Sequence, residues 1–133
     1  MQQNLPHQDH YFQLAVEMAD LAHAPYSSFP VGCVILDERG QPHTGCNVEN
    51  ASLGLTMCAE RVATGNAISS GARRFDTIIV ASPDAVSPCG ACRQVLAEFS
   101  HDQTMVFAVD LNGQRKTGHL LSELLPNQFK LQS

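Results

Sequence analysis

Two hydrophobic rhythms alternate along the chain. Tyr11, Leu14, Ala15, Met18, Leu21 and Ala22 recur at helical spacing, and Pro25 stops the run, so the first predicted element is a helix. Val31-Gly32-Cys33-Val34-Ile35-Leu36 is then an apolar run short enough for a buried strand. Asp37-Glu38-Arg39-Gly40 reads as a turn, and a second strand falls within His43 to Val48. Helical spacing returns from Cys58 to Ser70, with Val62, Ala63, Ala67 and Ile68 apolar and Gly71 placed as terminator.

Thr77-Ile78-Ile79-Val80-Ala81 predicts a β-branched strand. A helix from Gly90 to Ser100 follows, with Val95, Leu96 and Phe99 on one face and Ser87-Pro88 before it. Met105 to Val109 reads as another buried strand, and Asn112-Gly113 favours a tight hairpin that returns through Arg115 to Thr117. A short helix with Leu120, Leu121, Leu124 and Leu125 ends at Pro126. Strands interleaved with helices predict an α/β fold, a three-layer α/β/α sandwich around a five-stranded mixed sheet whose last two strands are antiparallel.

At 133 residues without repeats or linker-like stretches, the sequence is expected to form one domain over residues 1–133. Hydrophobic residues make up 44% and charged residues 16%, the balance of a globular chain. The formal net charge of −5 argues against a nucleic-acid partner, which needs clustered cations, and turns attention to a small molecule. No apolar stretch reaches the roughly 20 residues that span a bilayer, so no membrane association is expected. Five cysteines, an odd number, with no secretory leader visible, point to a reducing compartment, the cytoplasm, and to metal or catalytic use.

Three of those cysteines fall at predicted helix starts: Cys58, and the pair in Pro88-Cys89-Gly90-Ala91-Cys92. Unpaired N–H groups and the positive dipole end favour thiolate there, and thiolate is the zinc-binding form. Buried structural cysteines or a Cys89–Cys92 redox pair are the plainer alternatives. Three thiols with no histidine beside them would leave one zinc position for water, and Glu60, two residues from Cys58, is close enough to handle that water's protons. An acid in a helix's first turn is also favourable on its own account. Cys33 and Cys46 read as small apolar residues, and the six histidines as surface or helix-face residues.

Cys58-Ala59-Glu60-Arg61 together with Ser87-Pro88-Cys89-Gly90-Ala91-Cys92-Arg93-Gln94 resembles the small, homotetrameric class of cytidine deaminases. The likeness extends to Ala24-Pro25-Tyr26-Ser27-Ser28-Phe29, to Gly45-Cys46-Asn47-Val48-Glu49-Asn50-Ala51-Ser52 and to Leu124-Leu125-Pro126, from about Leu14 to Phe129. The resemblance implies one zinc held by Cys58, Cys89 and Cys92, with Glu60 as catalytic proton shuttle for hydrolysis at C4 of the pyrimidine. It implies that Arg61 contacts the sulfurs and offsets their charge, since a dication with three thiolates carries a net negative charge. It implies Asn47 and Glu49 on the ribose 3′-hydroxyl, Phe29 lining the pyrimidine pocket, Ala59 among the substrate-binding residues, and Phe129 reaching into a neighbouring subunit's site. The spacing of Asn47 and Glu49 independently puts them on one face of an extended segment. Where relatives usually carry a tyrosine near the sugar, this chain has Leu53.

The expected function is therefore zinc-dependent deamination of cytidine and 2′-deoxycytidine in a homotetramer. Blasticidin S deamination is the runner-up, and a structural zinc module or a thiol redox protein are the readings from other classes. The Asn112-Gly113 hairpin favours the free-nucleoside branch over the nucleic-acid-editing branch, in which the final strands run parallel.

Overall fold

The computed structural model describes residues 8–131. Strand β1 (Gly32–Asp37) is flanked by β2 (Pro42–Cys46) and β3 (Phe75–Ala81), both antiparallel to it. β4 (Ser100–Val109) lies parallel to β3, and β5 (Lys116–Leu120) folds back antiparallel along β4 from Val109↔Lys116 to Met105↔Leu120. The sheet order is β2-β1-β3-β4-β5, with the antiparallel final hairpin anticipated from Asn112-Gly113; Gly113 supplies the positive φ (72°) that this turn needs.

The unbroken apolar run of β1 follows from burial on both faces. Cys33 and Ile35 face helix α2 (Ala59–Ser69), whereas Val34 and Leu36 face helix α1 (Gln8–Ala19). Phe12 and Ala15 of α1 cover one side of the sheet with Ile79, Phe107 and Val109. On the other side, α2 joins α3 (Gly90–Ala97) and α4 (Leu121–Leu124) over Phe75, Ile78 and Val80. The result is the expected three layers.

Helices lie close where the sequence offers no side chain. A Cβ on Gly45 of β2 would sit 2.5 Å from the backbone N of Ala63 and 2.6 Å from the carbonyl O of Ala59. Ala59, Ala63 and Ala67 are fully buried at four-residue spacing, so α2 rests its backbone directly on the sheet. Gly32 does the same for α1, its imagined Cβ falling 2.0 Å from the Ala15 carbonyl.

Several boundaries differ from the sequence expectation. Helix α1 ends at Ala19, not Ala22, because the N–H groups of Asp20, Leu21 and Ala22 donate to carbonyls three residues back and tighten the chain into a turn. Helix α3 stops at Ala97, short of Ser100: Phe75 N–H captures the Phe99 carbonyl, Phe99 packs on Phe75, and Ser100 already pairs with β3. β4 therefore starts at Ser100, and its register breaks between Phe75↔Ser100 and Thr77↔Met105, with Thr104 donating its hydroxyl to the Phe75 carbonyl. Leu120 closes β5 instead of opening the last helix. His43 is no surface residue, since the buried carboxylate of Asp37 requires partners and takes His43 Nε2 at 2.8 Å.

Replacing Gly45 with Ala is expected to cost on the order of 2 kcal/mol, because only a shift of α2 makes room. Urea denaturation and metal analysis check it: the expected variant has a lower midpoint and retains zinc less well, since α2 carries Cys58 at its start.

Candidate active site

Cys58 and Cys89 are the N-cap residues of α2 and α3, both in extended backbone (ψ 152° and 169°) with no side-chain hydrogen bond to the helix they cap. Their sulfurs are thus free of capping duty. Cys92 lies one turn into α3, so the Cys-x-x-Cys spacing folds its sulfur back toward Cys89. The three sulfurs lie within 4.8 Å of one another, the one such group of potential metal ligands among the described residues. Cys89 is exposed, Cys58 half-buried and Cys92 buried, which makes the cluster a floor open on one side.

The electrostatics suit a dication. A hydrogen bond with Cys92, opposed by burial and reinforced by Arg61, pulls the Cys58 thiol down to about 5. Cys92 moves in the opposite direction, raised by its bond to Cys58 and by burial, so the pair holds one thiolate and one thiol. A soft, positively charged ion would displace that shared proton and satisfy all three sulfurs, and two helix N-termini stabilise the thiolates further. Arg61 donates from Nη2 to the Thr56 carbonyl at 3.0 Å and to Cys58 Sγ at 3.8 Å, while its Nε is buried without a partner. The donor set fits zinc, with three thiolates and a coordination position left over.

Glu60 occupies the second position of α2 and is buried. Burial, with a further push from the Cys58 thiolate, raises its carboxyl to about 7. A carboxyl poised there exchanges protons readily at neutral pH. Beneath it lies Cys33, whose thiol is fully buried and raised well above its usual range by desolvation and by Glu60. That supports the reading of Cys33 as an inert core residue; Cys46 is half-buried and also outside the sulfur cluster.

A cleft of about 410 Å³ opens over Cys58, Cys89 and Glu60. Phe29, Val31, Val80 and Val86 supply apolar lining, and Asn47 and Glu49 are buried in its wall. β2 ends at Cys46, short of these two residues. Val48 between them forms isolated bridges with His23 and Met57 and points outward, so the alternation anticipated for a strand holds around this one residue. Asn47 accepts from Val31 N–H (2.9 Å) and donates to the Phe29 carbonyl (3.0 Å). Glu49 accepts the N–H groups of Tyr26 (2.9 Å) and Ser27 (3.1 Å) together with the Ser27 hydroxyl. These donors, the Ser27 hydroxyl foremost, hold Glu49 below the usual carboxylate range against the effect of burial.

The structure thus brings together Phe29, Asn47, Glu49, Ala59 and Glu60 with two of the three cysteines in the cleft lining, Cys92 lying under it and Arg61 behind the sulfurs. Phe129 stands apart, 66% exposed on the C-terminal tail. Ser27 was missed: it binds Glu49 and accepts the Phe29 N–H at 3.0 Å, closing the tight loop in which Ser28 takes a positive φ of 55°. Its signal was the preference of serine for side-chain-closed turns.

Residues 6–109 match the family model for the cytidine and deoxycytidylate deaminase zinc-binding region. The cytidine deaminase of Sporosarcina psychrophila is 44% identical over 110 residues, covering 81% of this chain and 80% of its own. The crystal structure of cytidine deaminase from Burkholderia pseudomallei superposes with a TM-score of 0.86 at 37% identity, over 91% of this chain and 98% of that one. The Mycobacterium tuberculosis enzyme gives 0.83 at 34%, over 96% and 100%. A blasticidin-S deaminase of Bacillus cereus is 31% identical over 110 residues, covering 74% and 76%. With the family model matched over residues 6–109 and a relative 44% identical over 81% of the chain, this chain belongs to the cytidine and deoxycytidylate deaminase family.

Proposed function

We propose that this protein hydrolyses cytidine and 2′-deoxycytidine to uridine and 2′-deoxyuridine, releasing ammonia. The observation that carries the reading is Glu60, buried at the floor of the cleft beside three cysteine sulfurs and tuned toward neutrality. Zinc bound by Cys58, Cys89 and Cys92 would supply Lewis-acid activation of a water. Glu60 takes one proton from the water as its oxygen adds to C4 and delivers it to N3 of the pyrimidine. It then takes the second proton from the new C4 hydroxyl and gives it to the amine, which leaves as ammonia when the C4–N bond breaks and the C4 carbonyl forms. Arg61 stays behind the sulfurs and tempers their negative charge, which would otherwise blunt the metal's acidity.

Phe29 and the valines enclose the base. Ala59 is the first residue of α2, where backbone N–H groups have no acceptor within the helix and can serve the substrate. The second Nδ2 hydrogen of Asn47 and the carboxylate of Glu49 are the partners for the ribose 3′-hydroxyl. Because those contacts spare the 2′ position, ribose and deoxyribose are both accepted. The cleft lining holds two carboxylates and no lysine or arginine among the described residues, so a nucleotide's phosphate is disfavoured against the uncharged nucleoside. The sugar-facing pair also favours nucleosides over blasticidin S.

In this reading the chain forms a homotetramer, one domain per subunit, in which Phe129 completes a neighbour's site, and it serves pyrimidine salvage in the cytoplasm. The exposure of Phe129 on its own subunit supports that role. No helix among the described residues is long and apolar enough to cross a membrane.

Turnover of cytidine, deoxycytidine, CMP and blasticidin S by the purified protein tests the assignment. Both nucleosides are expected to be deaminated and CMP to be left intact; zinc-loaded protein inert toward both nucleosides would overturn it. Glu60→Ala is expected to lower kcat by about 10³-fold or more while zinc content stays normal, as loss of a proton-transfer group should. Phe129→Ala should raise KM strongly with zinc unchanged, read from initial rates at saturating and limiting cytidine. Arg61→Ala should lower turnover and shift its pH profile; full turnover with an unchanged profile would show that Arg61 does not tune the metal.

A further inference from the structure

Arg93-Gln94 and Leu124-Leu125-Pro126 have no part in the cleft, yet the structure joins them. Arg93 is half-buried on α3, and no carboxylate pairs with it among the described residues. Its Nε instead donates to the Pro88 carbonyl at 2.7 Å, and its Nη1 donates to the Leu124 carbonyl at 2.8 Å. One guanidinium therefore ties the peptide that leads into Cys89 to the last residue of α4. Beside it, Gln94 Nε2 donates to the Phe129 carbonyl at 3.2 Å. Between those two anchors the chain turns at Asn127, which takes a positive φ of 53° directly after Pro126.

The chemistry of the two side chains explains the choice. A planar fork reaches two carbonyls in fixed directions at once, which a lysine ammonium on a flexible stem does not reproduce. The Leu124 carbonyl is at the end of a helix, where it lacks an acceptor's usual partner. The Phe129 carbonyl belongs to the residue that carries the ring, so holding it restrains where the ring leaves the surface.

We propose that Arg93 and Gln94 are positioning residues that hold the segment from Leu124 to Phe129 in register with the metal-binding loop. The helix that carries Cys92 and is capped by Cys89 thereby also sets the placement of Phe129 for the neighbouring cleft. This rests on the reading of Phe129 given above.

The test is a double-mutant cycle on the full-length zinc enzyme, using cytidine kinetics, zinc content and gel filtration. Gln94→Glu keeps the shape but turns a carboxylate against the Phe129 carbonyl. It is expected to raise KM about fivefold, the worth of one hydrogen bond, with kcat and zinc content unchanged. In a Phe129→Ala background the same substitution should add nothing. Arg93→Lys should raise KM and also speed zinc loss to a chelator, because Arg93 alone touches the Pro88 carbonyl, and restoring arginine at that position should reverse both. A wild-type KM in Gln94→Glu beside a raised KM in Phe129→Ala overturns the positioning role alone, as does an equal effect of Gln94→Glu with and without the Phe129 ring. An unchanged KM in Phe129→Ala overturns the shared-site reading, and this inference with it.

Discussion

The convergence of two helix N-termini on a single point governs the rest of this molecule. Cys58 caps α2 and Cys89 caps α3, and neither cap uses its sulfur to satisfy the helix, so both thiols are turned outward where the backbone N–H groups concentrate positive potential. The sheet beneath makes that convergence possible. β3 delivers the chain to the loop before α3, and the bare backbone of Gly45 lets α2 settle against β2. The sulfur positions are therefore inherited from the packing of helices on strands, and a disturbance on β2, outside the three-sulfur cluster, reaches them through α2.

Two carboxylates share the cleft and are driven in opposite directions by their surroundings. Glu60 is buried with few donors and a nearby thiolate, conditions that favour the proton-bearing form. Glu49 receives two backbone N–H groups and a hydroxyl, conditions that favour the ion. The separation suits the two groups to the duties proposed for them, one moving protons and the other holding charge still.

Most of the architecture was legible because burial on both faces writes itself as uninterrupted apolar runs, seen in β1, β3 and the second half of β4. The metal group was legible because Cys-x-x-Cys and Cys-x-Glu are local patterns that survive translation into helix starts. The misplaced ends of α1 and α3 have a different origin. Leu21 and Phe99 continue the helical rhythm, but the backbone leaves the helix there to make hydrogen bonds with partners distant in sequence or to tighten a turn. The register break ahead of Met105 and the pairing of His43 with Asp37 likewise depend on what the fold brings alongside. Ser27 was hidden for the same reason, since nothing in a Tyr-Ser-Ser run says that a glutamate more than twenty residues away will meet it.

The loop from Tyr26 to Val31 has a lasting implication. Its shape is dictated from below by Asn47 and Glu49, whose side chains occupy the hydrogen-bonding groups of Tyr26, Ser27, Phe29 and Val31. In the proposed reading, the residues that would face the sugar are thus the scaffold under the residue that would face the base. Selection on one specificity drags the other along, and an engineer who wants a new sugar must redesign both walls together. Such a cleft is resistant to gradual drift, and its two preferences are inherited as a unit.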